Sequence, residues 1–247
     1  MDLVTALGAD AGTTCVVGAG GKKTTLYELA GRLDRAVVTS TVRIPIFDEH
    51  VAEVRVAADP VAAVADAESW PLGLVPSRDR EDRYAGYDPA TVDRLAREGD
   101  AEHVLVKADG ARTRLLKAPG DAEPQVPRAA DAVLAIASVD AVGRPLAAAH
   151  VHRPERVAAV TGRSLGEPIE PADVAAVLTS PEGGLKGVPE GATYVPVLNA
   201  VDDDAAREVA LDVADRIRDA DAAAAGRVSR VVLASMIAPE PLVAVVD

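Results

Sequence analysis

Thr13-Thr14-Cys15-Val16-Val17-Gly18-Ala19-Gly20-Gly21-Lys22-Lys23-Thr24-Thr25 is the stretch on which the fold turns. A β-branched run stops abruptly at a group of glycines, as a strand entering a tight loop does. A helical pattern follows, with Leu26, Leu29 and Leu33 three and four apart on one face. The next apolar strand covers 36–42, Ala36-Val37-Val38-Thr39-Ser40-Thr41-Val42. Strand, glycine loop, helix, strand is a βαβ opening, and its continuous apolar strands suit a parallel sheet buried on both faces. The expected class is therefore α/β, a three-layer, mostly parallel sheet with helices on both faces.

Outward from that opening the pattern repeats. Val54 to Ala57 and Leu72 to Val75 read as strands, with a helix from Asp59-Pro60 to Trp70 between them. The mixed-charge run Ser77 to Arg83 reads as a solvated connection. A helix capped at Asp88-Pro89 runs through Glu98, and the strand His103 to Val106 ends at Lys107-Ala108-Asp109-Gly110. An irregular insert with three prolines occupies about 110–130 and a helical segment about 150–190, its clearest helix at Pro171 to Leu178. Strands at 132–139, 194–198, 231–234 and 242–246 and a helix at 203–217 complete the series. With no linker or internal repeat in view, 1–247 is expected to form a single domain.

Composition narrows the function. Of 247 residues 49% are apolar and 26% charged, which suits a packed core and excludes wholesale disorder. No apolar run reaches the roughly 18 residues of a membrane span. Met1-Asp2-Leu3 lacks a basic leader, so a cytoplasmic protein with no membrane partner is expected. Cys15 stands alone, ruling out an intramolecular disulfide and fitting a small core residue. The net charge of −13 argues against sequence-independent nucleic-acid binding, which needs a basic face. Only five of the 26 cationic residues are lysines: Lys22, Lys23, Lys107, Lys117 and Lys186. Where arginine supplies ordinary surface charge, a retained lysine suggests the need for a compact ammonium.

The glycine loop has every part of a phosphate cradle. Glycines let several N–H groups turn toward an anion, the helix start adds partial positive charge, a lysine neutralises outer phosphates and a hydroxyl holds magnesium. Gly18, Ala19, Gly20, Gly21, Lys22, Lys23, Thr24 and Thr25 supply them, although neither lysine register satisfies the full Walker A spacing. Lys23-Thr24 is the preferred lysine–hydroxyl pair because the two are adjacent, with Lys22 an additional phosphate ligand. A dinucleotide site fits less well, because the third glycine of its fingerprint would fall on Lys23. Asp109, at the tip of another strand, suits a magnesium ligand beside Thr24, and Lys23 and Asp109 form the candidate catalytic pair. Asn199-Ala200-Val201-Asp202 follows a late strand, where Asn199 and Asp202 could read a base: the aspartate of an Asn-Lys-x-Asp segment accepts from the guanine edge, which adenine lacks. His150-Val151-His152 places two imidazoles together without a third metal ligand, and Arg153 beside them suits an anion contact.

Several segments in series resemble one family. They are Val16 to Lys22, Thr39-Ser40-Thr41, Ala108 to Arg112, Leu116-Lys117-Ala118-Pro119, Glu123-Pro124, Val139 to Gly143, Val151-His152-Arg153, Pro181 to Gly187 and Leu198 to Asp202. Together they look like the YqeC family, accessory proteins of selenium-dependent molybdenum hydroxylases, across about 14–235. The resemblance implies a P-loop NTPase-like fold and a role in maturing or inserting a molybdenum-hydroxylase cofactor. The chain departs from the family pattern at Lys107, where glutamate is usual, at Lys22 within Gly-Gly-Lys-Thr, and at Ala200 within Asn-Lys-x-Asp.

The combined expectation is a slow, Mg2+-dependent NTPase, using GTP or ATP, whose partners are the nucleotide and a molybdenum hydroxylase or its assembly proteins. Thr39 and Thr41 are candidates for sensing the γ-phosphate, and Lys117, Glu123 and Arg153 for facing a second ligand or partner. Two alternatives stay open: phosphoryl or nucleotidyl transfer to a small selenium or pterin compound, and nucleotide-gated binding without turnover.

Overall fold

The computed structural model describes residues 1–10, 12–222 and 226–247. In chain order the first part comprises α1 (Leu3–Leu7), β1 (Gly12–Gly18), α2 (Lys22–Ala30), β2 (Ala36–Ser40), β3 (Ile44–Pro45), β4 (Glu53–Val56), α3 (Pro60–Ala65), β5 (Leu72–Val75), β6 (Arg78–Arg80), β7 (Arg83–Tyr84), α4 (Pro89–Glu98) and β8 (His103–Lys107). The rest comprises β9 (Leu116–Lys117), β10 (Ala132–Ser138), β11 (Val151–His152), α5 (Pro154–Thr161), α6 (Pro171–Thr179), β12 (Thr193–Asn199), α7 (Asp204–Ala222), β13 (Val231–Ala234) and β14 (Leu242–Val246).

Nine strands form one sheet in the order β14-β13-β12-β10-β1-β8-β2-β5-β4. Every pairing is parallel except β13 with β14. Alternation along β1 sorts the core into two layers. Cys15 and Val17 pack with Val92 and Leu95 of α4 and with Val213 and Ile217 of α7. Val16 faces the other way, against Leu3 and Leu7 of α1 and Leu26 and Leu29 of α2. The result is a three-layer, P-loop-like α/β fold whose central strands carry no polar stripe because both faces are covered.

The topology singles out one crevice. From β1 the chain builds β2, β4, β5 and β8 on one side and then returns to place β10 on the other. Strand order therefore reverses at β1, and in open α/β sheets ligands bind beyond the carboxyl ends of the strands at such a switch point. Gly18 and Lys107 lie at that edge, as do Ser138 and Asn199.

Local departures from expectation have physical causes. The helix after Asp59 stops at Ala65 rather than reaching Trp70, the chain leaving the helix at Asp66, after which the Ala67 N–H turns to the Val64 carbonyl. The Trp70 ring instead takes the Arg35 guanidinium at 4.9 Å. The strand from Ala36 ends at Ser40, where Thr41 N–H turns to the Lys107 carbonyl at 3.1 Å. The expected loop at 77–83 is largely the hairpin β6–β7, which adds to β3 in a three-stranded sheet. Between β8 and β10 only β9 is regular, and it pairs with β11 in a two-stranded ladder.

Candidate functional site

The turn after β1 is shaped by what stands beside it. Gly18 has φ +91°, and a Cβ there would run into the Ile136 carbonyl on β10. Gly21 has φ +144°, and a Cβ there would strike the Asn199 side-chain amide. Glycine is required at both positions by conformation and by space. The Ala19 N–H is used by the Ile136 carbonyl at 2.8 Å, whereas the Gly20 and Gly21 N–H groups have no backbone acceptor among the described residues. They precede the first turn of α2, whose own leading N–H groups are open as in any helix. The two sets are consecutive along the chain, from Gly20 into the first turn of α2.

Lys22, the first residue of α2, turns back across this edge. Its Nζ lies 2.7 Å from Asp109 Oδ1 and donates to the Gly18 carbonyl. Asp109 Oδ2 accepts Gly18 N–H at 2.9 Å and lies 2.9 Å from Lys117 Nζ. Lys117 also donates to the Gly110 carbonyl at 2.7 Å and to Glu123 at 2.8 Å, and Glu123 accepts Arg153 Nη1 at 2.7 Å. Residues scattered over 132 positions of sequence thus form one chain of charges, Lys22, Asp109, Lys117, Glu123, Arg153, mostly out of water.

Burial opposes the Asp109 charge, but Lys22 and Lys117 outweigh it and hold its carboxyl below the usual range. Glu123 is likewise opposed by burial, yet Arg153 and Lys117 bring it down to about 2. Burial depresses the Lys22 ammonium against the pull of Asp109. Lys107, at the end of β8, is buried, donates to the Arg43 carbonyl at 2.9 Å and is pushed down to about 7, chiefly by burial and next by Lys22. A lysine near 7 is a group able to exchange a proton at neutral pH.

The remaining candidates separate clearly. Lys23 and Thr24 are half-buried on the first turn of α2, and Thr25, fully buried, donates its hydroxyl to the Gly21 carbonyl at 3.1 Å. The helix starts at Lys22, so it is Lys22 rather than Lys23 that reaches Asp109; the next residue is turned about 100° away. The structure does not bring Thr39 to the crevice: fully buried, it donates to the Leu74 carbonyl at 2.7 Å, on the β5 side. The Thr41 hydroxyl is engaged by the Gln125 carbonyl at 2.6 Å.

Asn199 does join the loop. Its Nδ2 donates to the Gly20 carbonyl at 2.7 Å and its Oδ1 accepts Met236 N–H at 3.0 Å, clamping the glycine turn to the segment after β13. Ala200 then adopts φ +65°, a left-handed conformation that strains an alanine and turns the chain back. Asp202 beyond it is exposed, and its Oδ1 accepts Ser235 Oγ at 2.5 Å. Ser235 and Met236 are contributors that sequence reading missed. Nothing in Ala234-Ser235-Met236 stands out until β13 is known to lie beside β12.

Among the described residues no group of three or more His, Cys, Asp or Glu side chains could hold an ion. Magnesium needs no such cage, since it keeps several waters and takes one or two protein oxygens with substrate phosphates. Asp109 offers a carboxylate whose Oδ1 faces Lys22 and is otherwise without a partner, and Thr24 offers a half-buried hydroxyl.

A parallel sheet with a glycine turn and a lysine–aspartate pair at its switch point places the molecule among P-loop-like α/β proteins. The chain belongs to the YqeC protein family, whose model matches residues 14–155. It is 29% identical over 212 residues to the uncharacterized protein YqeC of Escherichia coli (strain K12), a match covering 80% of each chain. No solved structure matches it. The family match takes in the glycine turn and the whole charge chain from Lys22 to Arg153, and ends before Asn199. No helix among the described residues is long and apolar enough to cross a membrane.

Proposed function

We propose that this protein binds a nucleoside triphosphate with magnesium at the carboxyl edge of β1 and hydrolyses it slowly, serving in the cytoplasm as an accessory factor in maturing a molybdenum hydroxylase. The observation that carries the first half is the Lys22–Asp109 pair bridging β1 and β8 beneath unpaired loop amides. The second half is supported by the family resemblance.

The outer phosphates would lie on the amides of Gly20 and Gly21 and on Lys22 and Lys23. A triphosphate carries several negative charges, against one on Asp109, so its arrival draws the Lys22 ammonium toward the loop. Thr24 and Asp109 would hold magnesium, which when bound neutralises charge on the phosphate chain. Lys117, 2.9 Å from Asp109, keeps the carboxylate oriented once Lys22 has moved. Asn199 fixes the loop through Gly20, and Asp202, with one carboxylate oxygen on Ser235, has the other to accept from a guanine edge.

A thermal-shift panel of ATP, GTP, CTP and their diphosphates, with and without magnesium, tests this reading, because a ligand that binds only the folded state raises the melting temperature. A magnesium-dependent rise is expected, abolished by Lys22→Ala and Asp109→Asn, with any GTP preference removed by Asp202→Ala. Indifference to every nucleotide would overturn the proposal. Phosphoryl or nucleotidyl transfer is the second reading, favoured by the unbroken charge chain from Asp109 out to Arg153. Product analysis separates the two, free phosphate against a modified acceptor.

A further inference from the structure

Beside the crevice is a rim that nucleotide binding leaves unused. The β9–β11 ladder sets His152 opposite Lys117 in register. Paired residues of a ladder share a face, and Lys117 on that face points into the Asp109 cluster, so His152 stands one strand out from the same cluster. The imidazole is half-buried. Of the side-chain hydrogen bonds in this corner among the described residues, Glu123 takes Lys117 and Arg153, and none reaches His152.

Its neighbour Arg153 is held with equal definition. It adopts φ +61° and caps α5, a left-handed conformation rare for arginine and costly unless the surroundings enforce it. A Cβ on Gly120 would come within 3.0 Å of its guanidinium carbon, so the guanidinium lies close against that backbone. Nη1 is bound to Glu123 at 2.7 Å, whereas Nε and Nη2 have no acceptor among the described residues, and the side chain is 30% exposed. Lys186 donates to the Gly120 carbonyl at 3.1 Å and steadies the same turn. Burial first, then Arg153 and Lys117, push His152 down to about 4, with Glu123 opposing and Arg112 adding a little. At neutral pH the ring is an uncharged hydrogen-bond acceptor next to a cation with two free donors.

We propose that His152 and Arg153 seat a second small ligand, a hydroxylated oxyanion whose carboxylate or phosphate is taken by the free edge of the guanidinium and whose hydroxyl donates to the imidazole. That the ligand serves as acceptor for a transferred group rests on the nucleotide reading; that the rim binds it does not. Two partners of unlike kind, one cationic and one neutral, select for an anion carrying its own donor. A simple anion engages only Arg153. The chain Arg153, Glu123, Lys117, Asp109 ties this seat to the glycine turn.

The experiment uses the full chain, with glycolate and glycerol 2-phosphate as probes, each titrated with and without magnesium tripolyphosphate. Proton NMR follows the four histidine rings, and calorimetry gives affinity. At least one probe is expected to move the His152 ring signals and leave those of His103, at the opposite end of the sheet, in place. Arg153→Gln should weaken that probe at least tenfold and Arg153→Lys less, while His152→Gln narrows the advantage of the hydroxylated probe over acetate or phosphate alone. The stronger probe identifies the oxyanion as carboxylate or phosphate. If neither moves the His152 signals of the unaltered protein, or if Arg153→Gln binds both unchanged, the proposal is overturned. Tripolyphosphate that fails to bind while a probe still does would sink the nucleotide reading and leave this one standing.

Discussion

The two ends of β1 use the same contact to opposite ends. At the amino edge Asp131, just before β10, accepts Thr13 N–H at 2.7 Å. At the carboxyl edge Asp109, just after β8, accepts Gly18 N–H at 2.9 Å. Asp131 is exposed and its bond ties a strand end, as a cap does. Asp109 is 1% exposed and gathers Lys22 and Lys117 around itself. A carboxylate in water needs no counter-ion. One out of water needs cations, and a cation recruited for that reason can be handed to an incoming anion. Three of the five lysines are buried around this one edge of a chain with net charge −13, and a fourth, Lys23, stands beside them on α2.

The sharpest way to break that contrast is to remove each carboxylate. Asp109→Ala leaves the Lys22 ammonium buried without its counter-ion and Lys117 with Glu123 alone, and should cost about 3–5 kcal/mol. Asp131→Ala, at an exposed hydrogen bond, should cost about 1 kcal/mol. Urea denaturation of both variants measures the gap, and equal losses would show that the buried cluster is not the strained half. Gly18→Ala comes next. It places a side chain against the Ile136 carbonyl at a positive φ, so a loss on the order of 2–3 kcal/mol is expected, seen as a lower urea midpoint.

Lys107 sharpens the contrast through pH. Its folded pKa is about 7 against 10.5 unperturbed, so between those values the unfolded chain holds a proton that the folded chain has lost. Stability should therefore rise with pH from about 7 toward 10.5, the cost of the buried charge being felt in full below that window. Lys107→Met should flatten this rise in melting curves taken across the range, and an unchanged slope would remove Lys107 from the account. The smallest effect is expected on α7, where Asp212 and Arg216 pair at 2.7 Å while nearly half exposed. Arg216→Ala should change stability by no more than about 0.5 kcal/mol, because solvent screens such a pair.

Much of the fold was legible in residue order. The βαβ opening could be read because strands buried on both faces leave uninterrupted Val and Ala runs, as at Val16-Val17 and Val37-Val38, and because Pro at the first helical position marks α3, α4 and α6. The hairpin at 78–84 was hidden because its charged residues are exposed and carry no apolar alternation. At the site, the glycine turn and Asp109 were visible as strand endings, and Lys117, Glu123 and Arg153 stood out through the segments around them. That Lys22 rather than Lys23 meets Asp109 could not be read, since it depends on where the first helical turn begins. Nor could the retreat of Thr39 into the sheet, where the hydroxyl turns to β5 rather than to the crevice.

By itself the sequence determined which segments become strands and helices, where backbone must bend past a missing Cβ, and that cationic groups of one kind were kept at few places. Those are properties of neighbours along the chain, set by periodicity and local sterics. Only the tertiary structure decided that β8 enters between β1 and β2, which puts Asp109 beneath Gly18, and that the ladder β9–β11 carries Lys117 inward and leaves His152 at the rim. Charge pairing out of water depends on distances of a few ångströms between residues dozens of positions apart, and strand order, not spacing in sequence, fixes those distances.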